Sequence, residues 1–268
     1  MNGPSRYWAA TAEAGWERSR LELLQQRSDG LTFRRLSGLG PLAGRACLEV
    51  GAGAGSVAAW LAAQVGPGGS VVATDLDPRF LDGLVAVGQL VVRRHDVLAD
   101  PLEHAAFDLV HCRAVLCHLG DPLAALRHMA LALRPGGRLL VEEADYVTLT
   151  AACPEHRRVD GWDRVAAEIM RYAATRSSID PYLGRRLPGL VASLGLELVT
   201  HEGIVRVQQG GSAAAQLIRR SVEAHTALLV GDGVCSEDEL TAFTEALADR
   251  TFRFTDACSF AVWGQRPN

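Results

Sequence analysis

The sequence predicts an α/β fold, with an open, mostly parallel β-sheet and helices on both of its faces. From residue 46 to residue 143, short apolar segments of strand length alternate with segments whose apolar residues recur at helical spacing. Turn-forming stretches such as GPGG at 66–69 and RPGG at 134–137 separate them. Strands and helices that alternate at this spacing form parallel βαβ units, from which such a sheet is built.

The elements of this core follow one another in a regular order. A helix is predicted over residues 16–37, ahead of the first strand. Ser56 is expected to cap the next helix, Asp77-Pro78 to begin another, and Asp121 with Pro122 to begin a third. The predicted strands of the core are 46–50, 70–75, 90–96, 107–113 and 138–143.

Beyond residue 150 the pattern is less regular. A helical face runs over 159–173, a sixth strand over 194–208 with a bend at Gly203, and a last strand over 259–267. Between these strands, residues 212–248 are predicted to be helical, with a break at GDG and a capping box before the second half. A helical insertion late in the chain is a candidate lid over a site.

Composition narrows the classes of protein to consider. The chain has 268 residues, 48% apolar and 22% charged, which suits one large domain or a core with an added lobe. Its net charge of −4 argues against a broad nucleic-acid-binding surface, and leaves open a local basic groove. No stretch approaches the roughly 18 apolar residues of a membrane span, and the first 15 residues show no signal-peptide pattern. The six cysteines have neither CxxC nor zinc-finger spacing, which predicts a reduced, cytoplasmic protein without a metal site.

A glycine loop follows the first strand. Gly51, Gly53 and Gly55 alternate with alanine in the segment GAGAG. Glycine permits positive φ angles and lets the backbone approach a ligand closely. Because Ser56 follows, the spacing is GxGxG and not the GxGxxG that is typical of dinucleotide-binding folds. The loop therefore favours a ligand other than a dinucleotide.

Two carboxylates at strand ends are further candidates for binding the ligand. Asp75 ends the second strand and Asp96 ends the third, so both are expected at the edge of the sheet where ligands bind. A carboxylate at the first position can accept two hydrogen bonds from a ribose diol, and one at the second can accept from an exocyclic amine. With the glycine loop, they describe a site for an adenosine that carries no obligatory phosphate.

At this point the sequence resembles the class I S-adenosylmethionine-dependent methyltransferases. The resemblance is strong over about residues 46–143 and weaker over the last strands. It implies a Rossmann-like, seven-stranded, mostly parallel sheet and the cofactor S-adenosyl-L-methionine. It extends to small-molecule methyltransferases of bacterial secondary metabolism and quinone biosynthesis. The segments that carry it are LEVGAGAGS (48–56), VVATDLDP (71–78), RRHDVLADPL (93–102), FDLVHCRAVLCHLGDP (107–122) and LRPGGRLLVEE (133–143).

The resemblance also implies how the cofactor is held. The glycine loop would face its methionine part, Asp75 would hold the ribose hydroxyls, and Leu76 would pack on the adenine. Asp96 would meet the adenine amine, with Val97 beside it. The cofactor-binding residues expected in this way are Glu49, Gly51, Ala52, Gly53, Gly55, Asp75, Leu76, Asp96, Val97 and Arg113.

In methyl transfer the cofactor supplies the activation, so the protein mainly aligns the nucleophile and excludes water. A general base is needed only where the nucleophile must lose a proton. The loop over residues 111–118 is expected to border the methyl group, with His118 as the first candidate base and His111 as a weaker one. Glu143 is a third catalytic candidate, and with Asp145 and Tyr146 it is expected to line the acceptor pocket.

The domain organisation predicted from these segments has three parts. Residues 1–40 form a helical cap, 41–150 the cofactor-binding core, and 151–268 the remaining strands with a lid over about 212–248. The acceptor pocket is expected between the cap, the 155–185 region and the lid. Aromatic residues that could wall it, with ordinary core packing as the alternative, are Tyr7, Trp8, Trp16, Trp162, Tyr172, Tyr182 and Phe243.

Three functions stay open at this stage. The first is methylation of an O, N or C atom of a small molecule. After the fourth strand the sequence has RAVL in place of an NPPY-type tetrapeptide, which disfavours amide or nucleobase N-methylation. The second keeps the fold and cofactor but catalyses a cyclisation or decarboxylation, or serves as a binding module. The third, a nicotinamide oxidoreductase, is disfavoured by Ser56 and Asp96. The expected partner is a small-molecule acceptor, with no nucleic acid or membrane and with a homodimer left open.

Overall fold

The computed structural model describes residues 13–84, 88–157, 159–176 and 179–268. In this part of the chain, no helix is both long and apolar enough to cross a membrane. The helices are α1 (Ala14–Gly38), α2 (Ser56–Val65), α3 (Pro122–Ala132), α4 (Trp162–Arg176), α5 (Leu187–Ala192), α6 (Ala213–Gly231) and α7 (Glu237–Ala248). The strands are β1 (Ala46–Val50), β2 (Ser70–Asp75), β3 (Leu90–Arg94), β4 (Phe107–Arg113), β5 (Leu133–Asp145), β6 (Thr150–Ala151), β7 (Glu197–Ile204), β8 (Val207–Gln209), β9 (Arg253–Thr255) and β10 (Cys258–Gln265).

Seven strands form the large sheet in the order β3-β2-β1-β4-β5-β10-β7. The first five pair in parallel, and β10 runs antiparallel between β5 and β7. The predicted seven-stranded, mostly parallel α/β sheet is therefore confirmed. The chain leaves β3 on one side of β1 and returns as β4 on the other side. Strand order thus reverses between β1 and β4, and a crevice opens at their carboxyl ends.

The side chains of β1 show why helices cover both faces of this sheet. Leu48 and Val50 pack into a cluster that includes Met129 of α3 and Val191 of α5. Cys47 points to the opposite face and packs with residues of α1 and α2. Successive strand residues face opposite sides, so a strand that is buried on both faces is apolar along its length. Glu49, in the middle of β1, is an exception to this apolar pattern.

Two predicted helix starts are wrong in detail. Ser56 is the first residue of α2 and not its cap: Gly55 takes that position with a φ of 87°, and the Ser56 hydroxyl donates to Asp29 of α1 at 3.0 Å. The segment after Asp77 forms two single 3₁₀ turns, Pro78–Phe80 and Asp82–Leu84, in place of a longer helix. Its glycine-interrupted sequence has weak helix propensity, so the proline start signal is not followed by a helix.

The predicted sixth strand is split. β7 ends at Ile204 and stays in the large sheet, while β8 begins at Val207 and joins a small sheet with the order β6-β9-β8. Residues 205 and 206 make the change of direction. After β8, α6 and α7 form the predicted helical insertion, and the capping box of Ser236 and Glu239 is present at the start of α7.

Candidate active site

A cavity of about 610 Å³ opens at the carboxyl ends of the central strands. The volume is within the range of ordinary small-molecule sites. Helix α1 covers one side of it with Leu21 and Leu24, and α6 covers another with Ile218 and Val222. The sheet supplies the floor through the residues that follow β1, β2, β4 and β5. The cavity therefore lies where the strand order predicts a ligand.

The glycine loop forms one end of this cavity. Gly51, Gly53 and Gly55 have φ angles of 72°, 57° and 87°, which L side chains rarely adopt. A Cβ at Gly51 would lie 2.1 Å from Cγ2 of Val115, because the loop after β4 is packed directly against this glycine. Gly51 and Gly53 line the cavity. Gly55 instead starts α2 beneath Leu84, where a Cβ would lie 2.3 Å from a methyl carbon.

Asp75 and Asp96 lie at the same end of the cavity. Asp75 accepts from the backbone N–H of Gly53 at 2.8 Å and from that of Asp77 at 3.0 Å, so its carboxylate is fixed beside the glycine loop. Burial raises its pKa, and these two N–H groups partly offset that effect. Asp96 accepts from the N–H of Leu98 at 2.9 Å. Both carboxylates keep lone pairs that a ligand can use.

Most of the other residues expected at the cofactor also line the cavity. Leu76 and Val97 supply apolar surface beside the two aspartates, and Ala52, Glu49 and Arg113 line it as well. A backbone cradle without Cβ atoms, two carboxylates and apolar side chains fit an adenosine that is joined to an amino acid. The described residues hold no group of three His, Cys, Asp or Glu side chains that could bind a metal ion.

A family model described as a methyltransferase domain matches residues 15–201. The chain belongs to this methyltransferase family. Its cofactor is S-adenosylmethionine, and it has the class I fold that the resemblance implies. The chain is 32% identical over 146 residues to an O-methyltransferase of Pyrenophora dematioidea, covering 53% of this chain and 54% of that protein. It spans about half the length of the first curated relatives that it matches.

Two solved structures share the fold. A Haemonchus contortus phosphoethanolamine N-methyltransferase, solved with S-adenosylhomocysteine, has a TM-score of 0.63 at 14% identity, covering 100% of this chain and 61% of that chain. The [4+2]-cyclase SpnF has a TM-score of 0.51 at 17% identity, covering 84% of this chain and 75% of that chain. Because a methyltransferase and a cyclase both match, the fold by itself does not decide the reaction.

His111 is placed inside the sheet. Its Nδ1 lies 2.6 Å from Oε2 of Glu49 on the neighbouring strand, and its side chain is fully buried. It is absent from the residues that line the cavity within the described chain. The prediction of a catalytic His111 is therefore not supported by its position. The pair explains instead why β1 carries a glutamate, since a buried charge needs a partner.

Arg113 connects α1 to the large sheet through hydrogen bonds. Its guanidinium donates to Asp29 and to the hydroxyl of Thr32, both at 2.8 Å. Thr32 in turn donates to Glu142 at 2.6 Å, and Asp29 accepts from Ser56 at 3.0 Å. This hydrogen-bond network thus fixes α1, which covers one side of the cavity.

His118 and Glu143 both line the cavity next to the loop after β4. Burial and the nearby charge of Arg20 lower the pKa of His118 to about 4. Burial raises the pKa of Glu143 to about 7, against the effect of its hydrogen bonds. Oε1 of Glu143 accepts from the N–H groups of Val115 and Leu116 at 3.0 and 2.7 Å. Oε2 meets no hydrogen-bond donor in good geometry among the described residues, while the Cys117 thiol lies near this carboxylate and acts to lower its pKa.

The predicted aromatic wall is only partly present. Tyr146 and Tyr172 line the cavity. Trp162 and Phe243 stack on each other in the core, with ring centroids 4.8 Å apart. Tyr182 lies beneath the guanidinium of Arg185, which also pairs with Asp145. Tyr7 and Trp8 lie outside the described residues.

Arginines other than Arg113 also line the cavity and were not predicted from the sequence. Arg20 and Arg27 reach it from α1, and Arg206 reaches it from the connection between β7 and β8. Arginine on a helix is normally a solvated residue, so nothing in the local pattern marked these positions. The pattern that could have found them is the presence of charged residues on the face of α1 that is buried.

Proposed function

We propose that the protein transfers a methyl group from S-adenosylmethionine to an O, N or C atom of a small molecule. The observation that carries the proposal is a cavity whose one end has the glycine loop, Asp75 and Asp96, and whose other walls are apolar side chains of α4 and α6. Such a cavity accommodates a cofactor and an acceptor side by side. The O-methyltransferase relative supports an oxygen acceptor. A secondary metabolite is the acceptor class that the resemblance implies.

When bound, S-adenosylmethionine supplies an activated methyl group for in-line displacement. The chain's own part is to hold and align the two molecules and to exclude water. Gly51 and Gly53 would let the backbone approach the methionine part, and Asp75 would accept hydrogen bonds from the ribose. Helices α1 and α6 close the cavity above the sheet, so the acceptor would react in an apolar enclosure.

We propose Glu143 as the group that takes a proton, if the acceptor must lose one, in preference to His118. A pKa of about 7 suits a base at neutral pH, whereas an imidazole with a pKa of about 4 binds a proton weakly. Oε1 of Glu143 is engaged by two backbone N–H groups, so the proton would be taken at Oε2. The same contacts hold the loop that bears His118 in place.

We therefore expect turnover to rise with pH through about 7, as Glu143 ionises, when it is measured with an acceptor that must be deprotonated. In Glu143→Gln the amide oxygen can still accept from the loop, so affinity for S-adenosylhomocysteine should stay near wild type. Its turnover should fall by about 10²-fold or more and lose the rise near pH 7. His118→Ala should keep that rise. A profile that is flat from pH 5 to 8 in the wild type would argue for His118 instead.

The proposed function is tested by titration calorimetry with S-adenosylmethionine and S-adenosylhomocysteine, followed by mass spectrometry of candidate phenolic acceptors. Binding of both ligands and a product heavier by one methyl group would support it. Binding with a product of unchanged elemental composition would favour the cyclisation alternative. Absence of binding by either ligand would contradict the proposal.

A further inference from the structure

We propose that the acceptor carries an anionic group, a carboxylate or similar oxyanion, and that Arg206 binds it. The inference rests on the proposed function and assigns the acceptor class to the same cavity. Three observations support the proposal: the position of Arg206 along the sheet, the pairing of the neighbouring charged side chains with one another, and the apolar side chains of the same cavity.

Arg206 lies at the acceptor end of the cavity. It follows β7 by two residues, and β7 is separated from β1 by β4, β5 and β10. At about 4.8 Å per strand, the end of β7 lies on the order of 20 Å from the glycine loop that follows β1. β7 runs in the same direction as β1, because it is antiparallel to β10 and β10 is antiparallel to β5. Arg206 therefore stands at the carboxyl edge, far from the place of the adenosine.

The neighbouring charges are already paired with one another. Arg27 donates to both carboxylate oxygens of Asp256, at 2.8 and 2.9 Å. Asp256 also accepts from the N–H of Ala257 at 2.8 Å and lies within 3.5 Å of the amide of Gln208. Its hydrogen-bonding capacity is thus largely taken up. Arg20, the other arginine that reaches the cavity from α1, donates to Glu17 at 2.8 Å.

Arg206 is left without a carboxylate partner. Its Nη2 donates to the backbone carbonyl of Arg27 at 2.6 Å, and among the described residues no carboxylate oxygen lies within ion-pair distance of it. Burial lowers its pKa; the nearby carboxylate of Asp256 opposes that effect, and the charges of Arg27 and Arg35 add to it. A half-buried guanidinium that uses one of its five N–H donors on the described part of the chain favours binding an oxyanion, which it can hold through two parallel bonds.

The cavity that Arg206 lines also has apolar walls. Leu149, Ile218 and Val222 belong to one buried cluster and also line the cavity, with Tyr146 packed against them. An acceptor that fills this space has an apolar body, and a charge on it needs a partner out of water. Arg206 supplies that partner, so the acceptor is best described as an apolar, organic acid.

The test compares two probes of nearly equal shape, 2-naphthoate and 2-naphthamide, by calorimetry on the protein saturated with S-adenosylhomocysteine. We expect the wild type to bind the carboxylate at least about tenfold more tightly than the amide. Arg206→Gln should bind both equally. Arg219→Gln removes an exposed arginine of α6 that pairs with Glu223, and it should keep the preference.

Equal binding of the two probes by the wild type, or no binding of naphthoate at millimolar concentration, would overturn the inference. So would a preference that survives in Arg206→Gln or disappears in Arg219→Gln. If S-adenosylhomocysteine binds and the preference is absent, this inference fails while the proposed function stands. If S-adenosylhomocysteine does not bind, the proposed function fails, and the probes titrated into the free protein still report on Arg206.

Discussion

Replacing Asp256 with alanine is expected to destabilise the protein by about 3–5 kcal/mol, because it leaves the guanidinium of Arg27 buried without its partner. The two side chains are 1% and 7% exposed, and the pair joins α1 to the segment before β10. Equilibrium unfolding in urea measures the loss as a lower midpoint. The double variant Arg27→Met/Asp256→Ala removes both charges, and it should recover much of the stability.

The matched control is Glu223→Ala, which breaks the exposed pair with Arg219 on α6. An exposed i,i+4 pair contributes less than about 1 kcal/mol, so its midpoint should change little. Equal losses in the two single variants would show that burial of the Arg27 pair is not what makes it important. A double variant as unstable as Asp256→Ala would lead to the same conclusion.

Asp75→Ala is expected to weaken S-adenosylhomocysteine binding by at least about tenfold. The variant would lose a pair of charge-assisted hydrogen bonds to the ribose, each worth about 1.5–3 kcal/mol. It would also lose the hydrogen bond that the Asp75 carboxylate accepts from the N–H of Gly53 at 2.8 Å. Calorimetry measures the affinity. The control variant is Asp82→Ala, because Asp82 is exposed in the turn after β2. An affinity in Asp75→Ala equal to that of the control would remove this residue from the cofactor site.

The positions of the glycine loop and of Asp75 at the cavity could be predicted from the sequence because their determinants are local. Gly51, Gly53 and Asp75 sit directly at strand ends, and strand ends of parallel sheets share one edge. The periodicity of the strands and the proline and glycine punctuation are local in the same sense. For that reason β1 to β4 lie within two residues of their predicted bounds, whereas β5 begins at Leu133, five residues before its predicted start.

The acceptor side could not be predicted in this way, because its residues meet only through the tertiary fold. The split after Ile204, which places Arg206 in the cavity, depends on pairing of β8 with β9. His111 turns to Glu49 because the two lie on adjacent strands, which no spacing in the sequence shows. The preference for Glu143 over His118 arises from burial, which raises the pKa of the carboxyl and lowers that of the imidazole. These are properties of the packed structure.

The bonds of α1 have a consequence for the order in which the site is assembled. Arg27 bonds to Asp256, which lies 229 residues further along the chain, and Arg35 bonds to Ser259. Both partners are synthesised late. A chain made from its N-terminus onward can pair β1, β2 and β4 well before these partners leave the ribosome. The contacts of α1 with Ser56 and Arg113 can form early, whereas its bonds to the C-terminal segment form late, since closing so long a loop costs entropy before any contact repays it. A nascent chain stopped before Asp256 would therefore lack both the buried partner of Arg27 and the strand that joins β5 to β7.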